Sequence, residues 1–274
     1  MSHLARALGA LALLSAAAVT FSSPASAGDE DPKPAPEAKE AEVPSQDLRA
    51  QKDEHRRYLL HGPLPGAKEP RWGWRLAVVL PGGSGSADFA GFVKNILRHG
   101  LGEEYVVAQP VALKWTEGQE VVWPTKLSPV PKMEFTTEEF VGSVVEEVKK
   151  GHRVDPASVF TLSWSSSGPA AYAIALQEKT PVTGSYVSMS VFFPSKLPPL
   201  KAARGRAFYI EHSPDDKVCL FKYAGEARDA LKKHGAAVEF STYPGGHGWT
   251  GGPIYPRIRK GFAWLEKQGG GKGK

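Results

Sequence analysis

Six short runs rich in apolar and β-branched residues, at 75–80, 105–111, 158–163, 185–191, 207–211 and 238–243, alternate with five helix-patterned segments at 89–98, 137–150, 169–178, 221–233 and 254–267. That alternation leaves few folds open. Most of the runs are apolar on both faces, and such strands need cover on both sides, which a parallel sheet between helix layers provides. The expectation is a three-layer α/β sandwich around a mostly parallel sheet. Only 57–61 remains to begin that sheet, so its N-terminal edge is expected to be shortened. His99-Gly100, Gly151-His152 and His234-Gly235 punctuate three helix ends, with a glycine for a left-handed cap and a histidine near the negative end of the dipole.

The beginning of the chain reads as an export leader. A weakly basic start (His3, Arg6) leads into an apolar stretch over 8–19, too short to span a bilayer comfortably, and then Ala25-Ser26-Ala27 supplies small residues for cleavage after Ala27. The product is expected to be exported, periplasmic or extracellular, without stable membrane insertion. Residues 28–55 carry nine acids and four bases with scarcely any large apolar side chain, and read as a disordered tether. One catalytic domain over 56–268 and a Gly/Lys tail at 269–274 complete the organisation.

Composition narrows the function classes. A single cysteine, Cys219, excludes an intramolecular disulfide framework and is expected to sit in the core. With +5 on the whole chain, 56–274 holds about +9, a moderately basic surface, but no Lys/Arg cluster is interleaved with aromatics as nucleic-acid sites require. No metal-ligand spacing is visible, and no cofactor is expected. Gly83-x-Gly85 could begin a dinucleotide fingerprint, but its third glycine position holds Asp88.

The chemistry concentrates in four segments. Val159 through Pro169 reads as strand, sharp turn and helix, the layout of a nucleophile elbow, where the positions two before and two after the nucleophile must be small. Trp164 lies two before Ser166 and Pro169 two after Ser167, which leaves Ser165, flanked by Ser163 and Ser167 where G-x-S-x-G has glycines. The loop Pro244-Gly245-Gly246-His247-Gly248-Trp249 follows the last strand and offers His247 as base. An acidic turn after the strand at 207–211 offers Asp215 or Asp216. Leu80-Pro81-Gly82-Gly83-Ser84-Gly85 closes the first strong strand with a backbone free to aim amides, so Gly83 and Ser166 are the expected oxyanion donors.

Together these segments resemble the α/β-hydrolase superfamily, in particular compact esterases near dienelactone hydrolase, the phospholipase/carboxylesterase group and polyhydroxybutyrate depolymerase-like enzymes, over about residues 74–267. The resemblance implies Asp216 over Asp215 as the acid, and a serine esterase acting through an acyl-enzyme on a small ester or an ester-bearing polymer. A prolyl-oligopeptidase-like peptidase shares the catalytic domain, but no propeller-sized region precedes it. A third reading is a non-catalytic glycan- or polymer-binding module using Trp115, Trp123 and Trp249, the aromatics also expected to wall the substrate cleft. The connection at 192–205 is too short for a large lid, whereas the Trp/Pro-rich one at 113–136 is long enough to shape a binding face.

Overall fold

The structure, a computed structural model, describes residues 43–269. The expected leader, the tether up to residue 42 and the tail from 270 lie outside the described residues. Eight strands form one sheet: β1 (Ser45–Arg49), β2 (Arg57–His61), β3 (Trp74–Leu80), β4 (Tyr105–Pro110), β5 (Val154–Trp164), β6 (Gly184–Ser188), β7 (Ala207–His212) and β8 (Ala237–Thr242). Their order is β1-β2-β4-β3-β5-β6-β7-β8. The β1–β2 and β2–β4 pairs are antiparallel and every other pair is parallel.

Side-chain alternation along β3 shows how the layers arise. Leu76, Val78 and Leu80 share one apolar cluster with α2 (Thr137–Gly151), α3 (Gly168–Ala175) and α4 (Phe221–Lys233). Ala77 and Val79 point the other way, to α1 (Ala90–Asn95) and α5 (Ile254–Gly269), with Val93, Ile258, Phe262 and Leu265 across from them. Because successive strand residues face opposite sides, a strand apolar throughout is buried on both. The helix ends follow local chemistry. Thr136 Oγ1 accepts the Glu139 N–H while the Glu139 carboxylate accepts the Thr136 N–H, a capping box that starts α2. Among the described residues no helix is long and apolar enough to cross a membrane.

The N-terminal edge differs from expectation. The tether was expected to run to residue 55, yet β1 occupies Ser45–Arg49, so the sheet has a strand more at this edge than the apolar pattern suggests. The reason is that polar contacts hold β1. Asp47 takes Arg57 at 2.8 Å across the pair, and the β1–β2 ladder joins Ser45 to His61 and Arg49 to Arg57. A hydropathy reading does not register such a strand.

His61 illustrates what β1 covers. The ring is fully buried, its Nδ1 lies 2.9 Å from the Ser45 hydroxyl, and its Nε2 lies 3.1 Å from Gln109 Oε1. Gln109 Nε2 donates to the Ser86 carbonyl, which turns its Oε1 toward the histidine. A neutral ring with the proton on Nε2 satisfies both partners, and burial pushes the imidazole down to about 4 from 6.5. Below about pH 6.5 the unfolded chain takes up a proton that the folded chain refuses. Stability should therefore fall as pH drops from about 6.5 to about 4, by up to about 3 kcal/mol from this group, and this contribution should level off below. Urea unfolding of the wild type and His61→Gln across that range checks it: the variant should lose that part of the slope.

Candidate active site

Register brings the sequence-predicted residues to one edge of the sheet. Leu80 pairs with Ser163, Trp164 with Ser188, Ser188 with Glu211 and His212 with Thr242, so the loops after β3, β5, β6, β7 and β8 open side by side at the carboxyl ends of the parallel strands. In open α/β sheets ligands bind at this edge.

Ser165 is the first residue past β5 and has φ +55, in the left-handed region that non-glycine residues rarely enter. Surrounding groups hold it there. The Ser190 hydroxyl donates to the Ser165 carbonyl at 2.6 Å. The serines flanking it fill the positions where G-x-S-x-G has glycines without leaving a hydroxyl unpaired. Ser163 is fully buried and donates to the Tyr186 carbonyl at 3.3 Å. Ser167, equally buried, accepts the Trp164 N–H at 3.1 Å and turns its own proton toward the Leu80 and Trp164 carbonyls at 2.6 and 2.9 Å. The close approach that demands a glycine falls at Gly168, where a Cβ would lie 2.1 Å from Ser190 Oγ.

The other segments converge on this serine. His247 Nε2 lies 3.0 Å from Ser165 Oγ, and its Nδ1 lies 2.8 Å from Asp216 Oδ2. With the proton on Nδ1, the ring donates to the carboxylate and presents an acceptor to the hydroxyl. Asp216 has no exposed side-chain surface, and its other oxygen accepts the N–H groups of Val218 and Cys219, each at 2.8 Å. His212 Nε2 stands 3.2 Å from Asp216 Oδ2 and 2.6 Å from the Cys219 carbonyl, and burial holds that ring below its ordinary pKa. Asp215 is exposed and makes its contact through its backbone N–H, to Ser213 Oγ at 3.2 Å. Cys219 is buried, as expected, and burial raises its thiol to about 12.

Gly83 and Ser166 also meet. The Ser166 hydroxyl donates to the Gly83 carbonyl at 3.0 Å, and Gly83 has φ +54. Gly82 lies so close to the elbow that a Cβ would stand 2.6 Å from the Trp164 ring. A glycine-rich loop is thus pressed onto the turn that bears Ser165.

Beside the elbow lies a cavity of about 250 Å³, lined by Val121, Trp123 and Thr125 from the long loop, Ser166, Pro169 and Tyr172 from the elbow and α3, and Val191, Phe193 and Leu197 from the loop after β6. Both connections singled out in the sequence therefore lie on this face. The three tryptophans do not assemble into one wall. Trp123 borders the cavity and donates its indole N–H to the Pro81 carbonyl at 2.9 Å. Trp115 packs edge-on against Phe135 at 4.9 Å and does not line that cavity. Trp249 is buried, with its indole N–H on Glu211 at 2.8 Å and its ring near Trp164. Of the three rings expected to wall the cleft, Trp123 lines this cavity, while Trp115 and Trp249 make their contacts with Phe135 and with Glu211 and Trp164.

Several contributors carry no sequence signature. Ser213 Oγ accepts the Gly246 N–H at 3.0 Å and Met189 Sδ the Gly248 N–H at 3.1 Å, so both neighbours of His247 are pinned. The long-range pairings that make Ser213, Met189 and Glu211 useful are set by sheet register.

The sheet order, the strained serine after β5 and the converging loops define an α/β-hydrolase fold. Solved structures share it. Esterase 2 of Thermogutta terrifontis, phosphoramylated by tabun, matches with a TM-score of 0.58 at 14% identity over 81% of this chain and 92% of its own. The Bacillus cereus carboxylesterase matches with a TM-score of 0.54 at 13% identity, over 83% and 95%. The sugar hydrolase YeeB of Lactococcus lactis matches with a TM-score of 0.55 at 16% identity, over 82% and 97%. In sequence the chain is 34% identical over 127 residues to a protein named "Putative esterase NocK" from Nocardia uniformis subsp. tsuyamanensis. That match takes in 44% of this chain, and the chain spans about a third (34%) of the relative's length. No family model matches the chain.

The elbow's tightness sets a stability test. Gly168→Ala should force Ser190 off the Ser165 carbonyl and cost about 1–3 kcal/mol in urea unfolding, as overpacking of a tight core does.

Proposed function

We propose that this protein is an exported serine esterase, with Ser165 as nucleophile, His247 as general base and acid, and Asp216 as the acid that orients the imidazole. The unbroken run of contacts from Ser165 through His247 to Asp216, beside a largely apolar cavity, carries the reading. The esterase names of the sequence relative and of two of the solved structures agree with it.

In this reading His247 Nε2 takes the Ser165 proton as the oxygen attacks the ester carbonyl. The backbone N–H groups of Gly83 and Ser166 receive the oxyanion, and the Ser166–Gly83 hydrogen bond fixes the spacing of the two segments that bear them. His247 then returns the proton to the leaving alcohol, and water enters by the same base to release the acid. Asp216 stabilises the imidazolium that forms in each half-reaction. Its two backbone N–H partners hold the carboxylate in place beside the imidazole. The cavity next to Ser166 takes one apolar arm of the ester. The leader at 1–27 directs the protein out of the cell.

Hydrolysis of a short-chain p-nitrophenyl ester by wild type, Ser165→Ala and His247→Ala tests the proposal. Each variant should lose about a thousandfold or more in kcat while keeping the wild-type circular dichroism spectrum, and Asp216→Asn should lose a comparable factor by disturbing the tautomer. A Ser165→Ala protein that keeps most of its activity would refute the assignment.

A further inference from the structure

His247 stands on a loop with little rigidity of its own. Gly245, Gly246, Gly248 and Gly252 all have positive φ, and a Cβ on Gly251 would lie 1.7 Å from the Pro244 carbonyl oxygen. A chain with so much backbone freedom does not by itself hold an imidazole within hydrogen-bond geometry of two partners. Trp249 stands in the same loop at φ +57, a conformation that is costly for a bulky residue and persists only where its surroundings over-determine it.

What over-determines Trp249 is a buried carboxylate. Its indole N–H donates at 2.8 Å to Oε2 of Glu211, whose side chain is wholly buried near the end of β7. Its ring lies 5.5 Å from that of Trp164, the residue before Ser165. The other Glu211 oxygen lies 3.3 Å from Nε of Arg257, on α5. Arg257 Nη1 in turn donates to the Gly251 carbonyl at 2.8 Å, and its guanidinium lies over the Tyr243 ring. Two rigid elements thus reach both arms of the loop and meet each other between them. A carboxylate buried this deeply is unfavourable unless charge and hydrogen bonds compensate it. Burial raises the Glu211 carboxyl, opposed by the Trp249 hydrogen bond and by the Arg257 charge.

We propose that Glu211 is a positioning residue for His247, acting through the indole N–H of Trp249, with Arg257 bracing the opposite arm of the loop. The proposal rests on His247 being the base of a serine esterase. The carboxylate supplies what an apolar residue of equal size does not: a directional acceptor that fixes the rotation of Trp249, and with it the backbone two residues from the imidazole.

Three variants separate positioning from bulk packing. Glu211→Gln keeps a carbonyl acceptor for the indole, Glu211→Met removes it at similar length, and Trp249→Phe keeps an aromatic ring without the N–H. In p-nitrophenyl ester hydrolysis, Glu211→Met and Trp249→Phe should lower kcat about 10- to 100-fold with KM nearly unchanged, while Glu211→Gln stays within about threefold of wild type. Proton NMR gives a readout that needs no substrate. The far-downfield ring proton shared by His247 and Asp216, assigned by its loss in His247→Ala, should persist in Glu211→Gln and broaden or vanish in the other two. Should Glu211→Met fail to fold, Trp249→Phe carries the test. Unchanged kcat and an intact downfield proton in folded Trp249→Phe would overturn the proposal, whatever the change in Tm. A wild type inactive on esters whose downfield proton still follows the expected pattern would uphold the positioning role and overturn the esterase reading alone.

Discussion

The hydrogen bond between His247 and Asp216 joins loops 31 residues apart, and the carboxyl edge of the sheet is arranged around it. A wholly buried carboxylate is tolerable only when its lone pairs are occupied. Val218 and Cys219 occupy one oxygen of Asp216 through their N–H groups, and His247 and His212 share the other. The turn after β7 is therefore folded onto its own carboxylate by contacts within the turn, independent of His247. The imidazole inherits its direction from that turn, and Ser165 meets a ring whose orientation is already decided. Parallel pairing of β5, β6, β7 and β8 keeps these loops on the same edge.

The serine-rich elbow shows how a departure from a sequence pattern is absorbed. A glycine is needed where a Cβ has no room, and in this chain that demand falls on Gly82 and Gly168. At 163 and 167 there is room for a hydroxymethyl group, and each hydroxyl meets backbone groups of the strands it touches. Ser167 does more than fit, because it ties the end of β3 to the elbow through Leu80. The Gly83 loop, which continues β3, is thereby held close to the proposed nucleophile.

Much of this was legible in the sequence, for identifiable reasons. The six apolar runs were readable because burial on both faces leaves no polar position to disturb the pattern, and all six are strands. Ser165 and His247 stood out because sharp turns after strands require small residues and leave a motif, whereas the turn after β7 offered Asp215 and Asp216 alike and only the family resemblance favoured Asp216. β1 was not readable, since its stability comes from pairing and from ions such as Asp47 with Arg57. The places of Trp115 and Trp249 were equally hidden. Composition marks a tryptophan as valuable, but whether its ring faces a cavity or a buried carboxylate depends on neighbours such as Phe135 and Glu211, which are remote in the chain.

β1 also changes what the sheet presents to other molecules. Without it, the outer edge would be β2, whose Tyr58, Leu59 and Leu60 are buried, an apolar strand with open backbone donors and acceptors that invites another chain to pair. With it, the edge reads Ser-Gln-Asp-Leu-Arg, short, mostly exposed and carrying both signs of charge. The strand that hydropathy overlooks covers this apolar edge with a polar one, and the polarity that hides it from a hydropathy pattern also makes it a poor template for another chain.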